Sequence, residues 1–329
     1  MKKWGLKLLM CLLVCFLFFS GCFEEMSPTG SNMIYVDDDN IDGPWDGTQE
    51  YPFKDIQDGI DAAIDDSIIF VLNGTYDETL VINKSIDLIG LNKNNTIIAY
   101  DENEIGHIDI VLFNVDNCTI KGFSIFNANF SKDVTGININ GTSNINISNV
   151  IISHAYRGIS IGFKSTNNHV FQNTITNNEF GIDMAKYASH NYISNNIIAK
   201  NTQYGIYLQG GSKNNIISWN NISDNQCGAR LKSSTNNNIF GNTVINNQQG
   251  IYFCCGSRGS TIFYNEFINN GEWNAKDTEL NAWNNETVGN YWDNYKGIDS
   301  DSDGISETHY SIPGGNNRDN HPLMNPGLK

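Results

Sequence analysis

Three carboxylates occupy alternate positions near the C-terminus, in the run Asp299-Ser300-Asp301-Ser302-Asp303-Gly304. This spacing, closed by a glycine that permits a sharp turn, is the first half of a calcium-binding loop. Where an EF-hand has a glutamate that binds calcium through both carboxylate oxygens, this chain has Tyr310. A ligand from outside the loop would therefore have to complete the calcium coordination shell. The sequence predicts a structural calcium site, with a solvated acidic turn as the alternative. The expected ligands are Asp299, Asp301, Asp303, the carbonyl of Ile305, Glu307 and Asp319.

A second set of candidate residues lies two positions after each member of a repeated glycine column. Each of them stands between two apolar residues, as in Ile206-Tyr207-Leu208, and this alternation points the middle side chain of a strand outward. Aromatic faces beside charged side chains suit sugar rings. The alternative is an ordinary solvated face. The predicted ligand-binding residues are Asp183, Tyr207, Arg230 and Tyr252 in this row, with Lys186 and Lys232 just beyond it.

The charge of the chain is unevenly distributed. The 329 residues carry a net charge of −16, which argues against a nucleic-acid partner because phosphate neutralisation needs a basic face. Between Arg157 and Arg258, however, eight basic residues stand against three acidic ones, a local excess of +5. This excess favours an acidic or neutral glycan as the ligand of the outward row.

Catalysis has weaker support in the residues. A lyase acting on acidic glycans would need a base, and Arg230 with Lys186 or Lys232 is the candidate. Hydrolysis would need two carboxylates at a defined separation, whereas Asp183 is the one obvious outward acid of the repeats. We therefore expect binding or a structural role rather than an enzyme.

Four cysteines remain beyond the N-terminal leader. They are too few for a disulfide-stapled scaffold, and we expect them to be small buried apolar side chains. The neighbouring pair Cys254-Cys255 could instead bind a soft metal or form a strained disulfide. The four are Cys118, Cys227, Cys254 and Cys255.

The candidate residues belong to a repeat with a period of 22 to 24 residues. Chance does not keep a glycine column and three asparagine columns in register through five turns. The glycines are Gly136, Gly158, Gly181, Gly205, Gly228 and Gly250. The asparagine columns are Asn168, Asn191, Asn215 and Asn238, completed by Ser260; Asn173, Asn196, Asn220, Asn242 and Asn265; and Asn178, Asn201, Asn225, Asn247 and Asn270.

This period, with three short apolar patches in each unit, is typical of an all-β, right-handed parallel β-helix. Apolar residues point inward and stack on the next coil, and asparagines at the corners tolerate left-handed backbone angles and form ladders. The open ends of such a solenoid need caps. Apolar residues at helical spacing from Phe53 to Ile64 predict an N-terminal capping helix, and a tryptophan-containing segment after Asn270 predicts the other cap.

The N-terminus reads as a targeting signal. A basic start and about a dozen apolar residues precede Ser20-Gly21-Cys22, which resembles a lipoprotein signal with Cys22 as the lipidated residue. We therefore expect an extracytoplasmic protein held at the membrane by a lipid anchor, with an uncleaved anchor or ordinary secretion as the alternatives. The predicted organisation is a signal at 1–22, a tether at 23–33, a cap with the first coils at 34–110, repeats at 111–270 and a C-terminal cap at 271–329.

Residues 34–99 resemble the opening of pectin-lyase-like β-helices, in Ile56-Gln57-Asp58-Gly59-Ile60 and Asn73-Gly74-Thr75-Tyr76. The repeats resemble the NosD/CASH class, and Gly289-Asn290-Tyr291-Trp292 with the segment Asp319 to Leu323 resembles archaeal NosD-like surface proteins. The resemblance implies a cell-envelope protein that binds a surface polysaccharide or envelope component, or serves a structural role. Its alternatives are a lyase or hydrolase of acidic glycans and a copper-binding accessory protein, since NosD proteins assist copper-site maturation.

Overall fold

The computed structural model describes residues 33–101, 106–128 and 133–327. The expected signal, Cys22 and all of the tether except Met33 lie outside the described residues. None of the helices in the described ranges is long and apolar enough to cross a membrane.

The described chain is built almost entirely from short strands, with a single helix α1 (Ile56–Ala62). The first half of the strands are β1 (Met33–Val36), β2 (Ser67–Val71), β3 (Gly74–Asp77), β4 (Leu80–Ile82), β5 (Ile86–Gly90), β6 (Thr96–Tyr100), β7 (Ile108–Phe113), β8 (Thr119–Lys121), β9 (Ser124–Asn127), β10 (Val134–Asn140), β11 (Asn146–Ser148), β12 (Ile151–Ser153), β13 (Arg157–Gly162), β14 (His169–Phe171) and β15 (Thr174–Thr176). The remainder are β16 (Phe180–Met184), β17 (Tyr192–Ser194), β18 (Ile197–Ala199), β19 (Tyr204–Leu208), β20 (Ile216–Ser218), β21 (Asn221–Ser223), β22 (Cys227–Lys232), β23 (Asn238–Phe240), β24 (Thr243–Ile245), β25 (Gln249–Cys254), β26 (Thr261–Phe263), β27 (Glu266–Ile268), β28 (Trp273–Asp277), β29 (Tyr291–Trp292), β30 (Tyr310–Ser311) and β31 (Arg318–Asp319).

Successive coils place these strands in three long parallel sheets, which confirms the predicted right-handed parallel β-helix. The first sheet runs β1-β2-β5-β8-β11-β14-β17-β20-β23-β26, and the second runs β4-β7-β10-β13-β16-β19-β22-β25-β28. The third sheet runs β3-β6-β9-β12-β15-β18-β21-β24-β27-β29. One coil therefore passes through the first, third and second sheets in turn, and only β30 and β31 pair antiparallel among the described strands.

The core consists of columns of apolar side chains that repeat from coil to coil. In the third sheet Ile175, Ile198 and Ile222 are paired in register and have no exposed surface. The sequence predicted this column from the apolar residue two positions after each asparagine. Each coil buries its apolar side chains against the coils before and after it, so the burial of one coil depends on its neighbours.

The asparagines form three buried ladders along the corners of the coils. Each amide oxygen accepts the backbone N–H and the side-chain amide of the asparagine one coil earlier, as Asn196 does for Asn173 at 3.0 and 3.1 Å. One predicted member is wrong: Asn237, not Asn238, follows Asn215, because Asn238 lies exposed in β23. The ladder of Asn265 continues to Asn290, which lies beyond the regular repeat.

The glycine column is required by the close approach of successive coils. A Cβ atom on Gly205 would lie 2.6 Å from the backbone oxygen of Gly228 in the next coil. It would also lie 3.0 Å from the amide nitrogen of Asn225 and 3.1 Å from a methyl group of Ile222. A side chain at this position would therefore push the coils and the asparagine ladder apart.

Both ends of the solenoid are covered. Ile56 and Ile60 of α1 are fully buried, and the carboxylate of Glu78 accepts the N–H groups of Ile56 and Gln57 at 2.7 and 2.9 Å. The helix is shorter than the sequence predicted: α1 ends at Ala62, and Ile64, which was expected on its buried face, is 64% exposed.

At the C-terminal end, aromatic rings close the last coils. Trp292 stacks on Phe267 on one side and on Tyr310 on the other, with ring centroids 4.4 and 4.3 Å apart. Trp283 packs beside them and has no exposed surface. The end of the core is thus shielded from water by flat, fully buried rings.

Candidate functional site

The outer face of the second sheet carries two rows of residues that are in register through successive coils. The first row is the residue before each repeat glycine, and the second row is the residue two positions after it. The first row contains Thr135, Arg157, Phe180, Tyr204, Cys227 and Gln249, extended by Asp109 before it and Trp273 after it. The second row contains Asn138, Ser160, Asp183, Tyr207, Arg230, Tyr252 and Lys276.

A polar cleft of about 400 Å³ lies over the early coils of these rows. Arg157 donates through Nε to Oδ2 of Asp183 at 2.9 Å, and Gln209 donates through Nε2 to Oδ1 at 3.1 Å. Both oxygens of Asp183 are therefore engaged, and the residue is only 5% exposed. Asp183 lines this cleft, in agreement with its predicted outward position, but its carboxylate is covered by neighbouring side chains.

The cleft lining also contains an imidazole that lies between two carboxylates. Nε2 of His107 lies 3.0 Å from Asp109, and its Nδ1 lies 3.1 Å from Asp133. Asn138 donates to the other oxygen of Asp109 at 2.9 Å. Sequence reasoning missed His107, Asp109 and Asp133, because they precede Gly136, the first glycine of the regular repeat.

Two strongly exposed aromatic residues directly follow residues that line the cleft. Phe163 directly follows Gly162, which lines the cleft, and is 61% exposed; Tyr187 directly follows the lining residue Lys186 and is 63% exposed. The ammonium group of Lys186 lies 5.5 Å from the centroid of Phe163. Exposed aromatic surface therefore occurs next in sequence to the lining of a charged, hydrogen-bonding cleft, and the ring of Phe163 contacts the lining residue Lys186.

In the later coils the same face alternates aromatic rings and cations. Arg230 lies between Tyr204 and Tyr252, with its guanidinium carbon 5.6 and 5.5 Å from the two ring centroids. Lys276 lies over Tyr252 and Trp273, with its ammonium nitrogen 5.6 and 4.9 Å from the centroids. These five residues come from both of the rows described above, and we call them together the cation–aromatic row: Tyr204, Arg230, Tyr252, Trp273 and Lys276.

Arg230 is held as a cation. Burial by itself lowers the pKa of Arg230, but hydrogen bonds to the Tyr204 hydroxyl at 2.6 Å and to Cys254 outweigh burial and raise the pKa above its usual value. A group that does not release its proton does not act as a base. The structure thus disfavours Arg230 as the base of a lyase.

The remaining predicted binding residues lie on or next to this face. Tyr207 is 9% exposed and packs on Phe180 and Tyr204 with centroid distances of 5.9 and 4.8 Å. Lys232 ends β22 in register with Cys254 and is exposed. The structure therefore places the six predicted binding residues on one sheet face or at its edge, but Asp183 and Tyr207 contribute little open surface.

The C-terminal acidic loop brings together part of the predicted metal shell. Carboxylate oxygens of Asp299, Asp301 and Glu307 lie within 4.8 Å of one another, and Oδ1 of Asp299 is covered without a hydrogen-bond partner. The Asp303 carboxylate accepts the N–H of Ile305 at 2.8 Å and stands outside this group.

Asp319 is not part of this acidic group. Its side chain is fully buried, and Oδ2 accepts Nε1 of Trp292 at 2.9 Å and the N–H of Asn290 at 2.7 Å. The expectation that Asp319 completes the loop shell is corrected, because its oxygens are committed to the C-terminal cap.

Solved structures with a similar fold are proteins that share little sequence with this chain. The pectate lyase Pel9A gives a TM-score of 0.55 at 16% identity over 84% of this chain and 83% of its own. XylC in complex with xylose gives 0.55 at 10% identity over 88% and 73%, and the A-module of the Azotobacter vinelandii mannuronan C-5 epimerase AlgE6 gives 0.50 at 19% over 69% and 75%. At these identities the likeness establishes the fold alone, that of a pectate-lyase-like β-helix. No curated protein matches the chain.

The chain belongs to the NosD family. The family model described as periplasmic copper-binding protein (NosD) matches residues 94–297, which is more than half of the sequence. This family is periplasmic by description, in agreement with the expected extracytoplasmic location.

The donor groups of the described residues do not fit a copper site. Copper prefers imidazole and sulfur ligands, whereas both three-residue ligand clusters in the described ranges consist of carboxylates, Asp37-Asp38-Asp39 and Asp299-Asp301-Glu307. Cys254 and Cys255 are free thiols, one buried and one exposed. Burial raises the pKa of Cys254, which opposes the thiolate form that binds soft metals.

Proposed function

We propose that this protein binds carbohydrate on the outer face of the second sheet, and that its ligand is a surface polysaccharide or another envelope glycan. The observation that carries the proposal is the polar cleft together with the exposed aromatic side chains of Phe163 and Tyr187, which directly follow residues of its lining. Sugars present hydroxyl groups at their edges and C–H groups on their faces, so that planar polar side chains and aromatic rings together recognise them.

The internal contacts of the cleft support binding rather than bond cleavage. The carboxylates of Asp109 and Asp183 are each engaged by neighbouring side chains, and Arg230 is held protonated. These contacts hold the polar side chains of the face in place, so that a ligand would bind without further loss of their side-chain freedom.

A glycan array with the full-length protein tests the proposed function. We expect Phe163→Ala and Tyr187→Ala each to weaken binding about tenfold, the effect of losing one aromatic contact of about 1.4 kcal/mol. Tyr192→Ala is the matched control, since Tyr192 is 38% exposed on the first sheet.

Unchanged binding in both cleft variants would contradict the assignment of the face. An absorbance increase from unsaturated uronate during incubation with polyuronates would favour the lyase alternative over binding alone.

We further propose that calcium binds at Asp299, Asp301 and Glu307 and stabilises the C-terminal cap. The support is the convergence of three carboxylates and the uncompensated Asp299 oxygen, a donor set that suits a hard cation. Saturating calcium should raise the melting temperature, since a ligand at 100 times its Kd stabilises the folded state by about 2.7 kcal/mol.

The calcium effect should disappear in Asp301→Asn and persist in Asp42→Asn, which removes one exposed charge elsewhere. A melting temperature that chelation leaves unchanged in the wild type would contradict the proposal.

A further inference from the structure

The cation–aromatic row differs chemically from the cleft beside it. Arg230 and Lys276 lie on the two sides of Tyr252, at 5.5 and 5.6 Å from its centroid, and Tyr204 and Trp273 cover their other sides. Ring faces attract cations through the quadrupole of the π-system and carry no net charge. The two positive charges are therefore held in place without being neutralised.

Carboxylates do not compensate these cations either. Every ion pair among the described residues involves His107 or Arg157, so that neither Arg230 nor Lys276 has a described carboxylate within 4.0 Å. Glu272 precedes Trp273 in sequence, but its oxygens accept the side-chain amides of Gln248 and Gln249, both at 2.9 Å. Two uncompensated cations on one face stand out in a chain of net charge −16.

Donor groups in the row also lack acceptors. Nε of Arg230 and Nε1 of Trp273 are covered and have no hydrogen-bond partner, and Nη2 of Arg230 reaches only the sulfur of Cys254 at 3.8 Å. A guanidinium group has five N–H donors in a fixed fork that matches carboxylate and sulfate oxygens. The row therefore holds more donors than acceptors, which favours an anionic ligand over a neutral one, although the two covered atoms do not themselves face a ligand.

The early coils have a mixed character. Asp109 and Asp183 line the cleft and are matched by His107 and Arg157, and Lys186 adds a further cation to the lining. An acidic ligand group in the cleft would meet carboxylates as well as cations, whereas in the cation–aromatic row it would meet two cations without a described carboxylate within 4.0 Å. The two halves of the face consequently select different parts of a ligand.

We propose that the cation–aromatic row is an anion subsite that takes the carboxylate or sulfate group of an acidic sugar, while the cleft takes neutral sugar units of the same chain. This inference rests on the proposed carbohydrate binding and adds the ligand class and its orientation along the coils. The acidic unit lies over Arg230 and Lys276, and the neutral units lie toward Arg157 and His107.

The test compares oligosaccharides of equal length in three series: a uronate oligomer, its methyl ester and a sulfated neutral oligomer. Affinities are measured by calorimetry with the full-length protein at low and high salt. We expect Lys276→Met to weaken binding of the acidic series at least about tenfold, as for the loss of a hydrogen bond to a charged group, and to leave the methyl ester unaffected. Lys200→Met, at an exposed lysine between β18 and β19, is the matched control.

The outcomes separate this inference from the function on which it rests. A stronger affinity for the uronate or the sulfated series than for the ester, lost in Lys276→Met and weakened by salt, supports the anion subsite and identifies the acidic group. Equal affinity for acidic and neutral series, with Lys276→Met unchanged, would overturn the subsite and leave carbohydrate binding intact. Absence of binding in all three series, with folded protein, would overturn both. Arg230→Gln serves as a second variant, with its folding checked by circular dichroism.

Discussion

Asp319 shows how one buried carboxyl group couples the C-terminal cap to pH. Burial is the largest influence and raises the pKa of Asp319 from 3.8 to about 6, although hydrogen bonds from Trp292, Asn290 and His321 act in the opposite direction. The folded state therefore holds this proton more tightly than the unfolded chain does. The resulting stabilisation is complete below about pH 4 and is lost as the pH rises through about 6.

We expect Asp319→Asn to remove this pH dependence. The free energy of unfolding of the wild type, relative to that of the variant, should fall by about 2–3 kcal/mol between pH 4 and pH 7. Urea unfolding at several pH values measures the difference, and Asp42→Asn controls for the removal of an acidic charge. Parallel pH profiles of wild type and Asp319→Asn would contradict the prediction.

The asparagine ladder is the main polar feature at the scale of the coil. Asn196 accepts two hydrogen bonds from Asn173 and donates to the oxygens of Val170 and Asn220 at 2.8 and 2.9 Å. Its removal would take these partners away from buried groups on the two neighbouring coils. Such groups cost about 1–3 kcal/mol each when they are unsatisfied.

We therefore expect Asn196→Ala to lower the free energy of unfolding by at least about 3 kcal/mol. Asn221→Ala, at an exposed position of β21 in the adjacent coil, should change it by less than about 0.5 kcal/mol. Chemical denaturation of both variants measures the contrast. Similar losses in the two variants would show that the ladder is not the source of the stability.

The coil architecture could be predicted from sequence because packing constrains its residues to a period. Gly205 and Asn196 belong to columns of nearly constant spacing, since backbones meet there in every coil. The ladder member Asn237 keeps the same spacing as its neighbours Asn242 and Asn247, which the sequence assignment of Asn238 did not. Outward residues carry no such constraint. The position of Arg230 on the sheet face followed from alternation, but its cation–aromatic partners depend on side-chain geometry that no spacing encodes.

The candidate site was less predictable where the repeat is irregular. His107 and Asp109 precede the regular columns, so their meeting with Asp133 required the register of β7 and β10. Asp319 was expected at the acidic loop because it is acidic and close in sequence. The structure instead buries it against Trp292, a placement governed by tertiary packing of the cap.

At the scale of the whole molecule, stability depends on contacts between neighbouring coils and on the two ends. Trp292 contacts Phe267 and Tyr310 over stacked rings and shields the last coil. In a solenoid, loss of an end cap opens the adjacent coils first, because each coil contacts only its neighbours.

We expect Trp292→Ala to destabilise the C-terminal end by about 3–5 kcal/mol, as for other buried aromatic truncations. Hydrogen exchange should increase in β24 to β29 and remain slow in β2 to β9. Trp219→Ala, at a tryptophan that is 41% exposed, is the control and should change exchange only locally. A uniform increase across all coils would show that the molecule opens as one cooperative unit.

The constant register of the coils also affects how such a protein can evolve. Duplication of one unit of 22 to 24 residues would insert a complete coil whose core column, glycine and ladder asparagines match both neighbours. The same event would lengthen the outer face by one first-row and one second-row residue without disturbing the others. The surface can therefore gain or lose outward-facing residues in whole-coil genetic steps, while the interior remains unchanged.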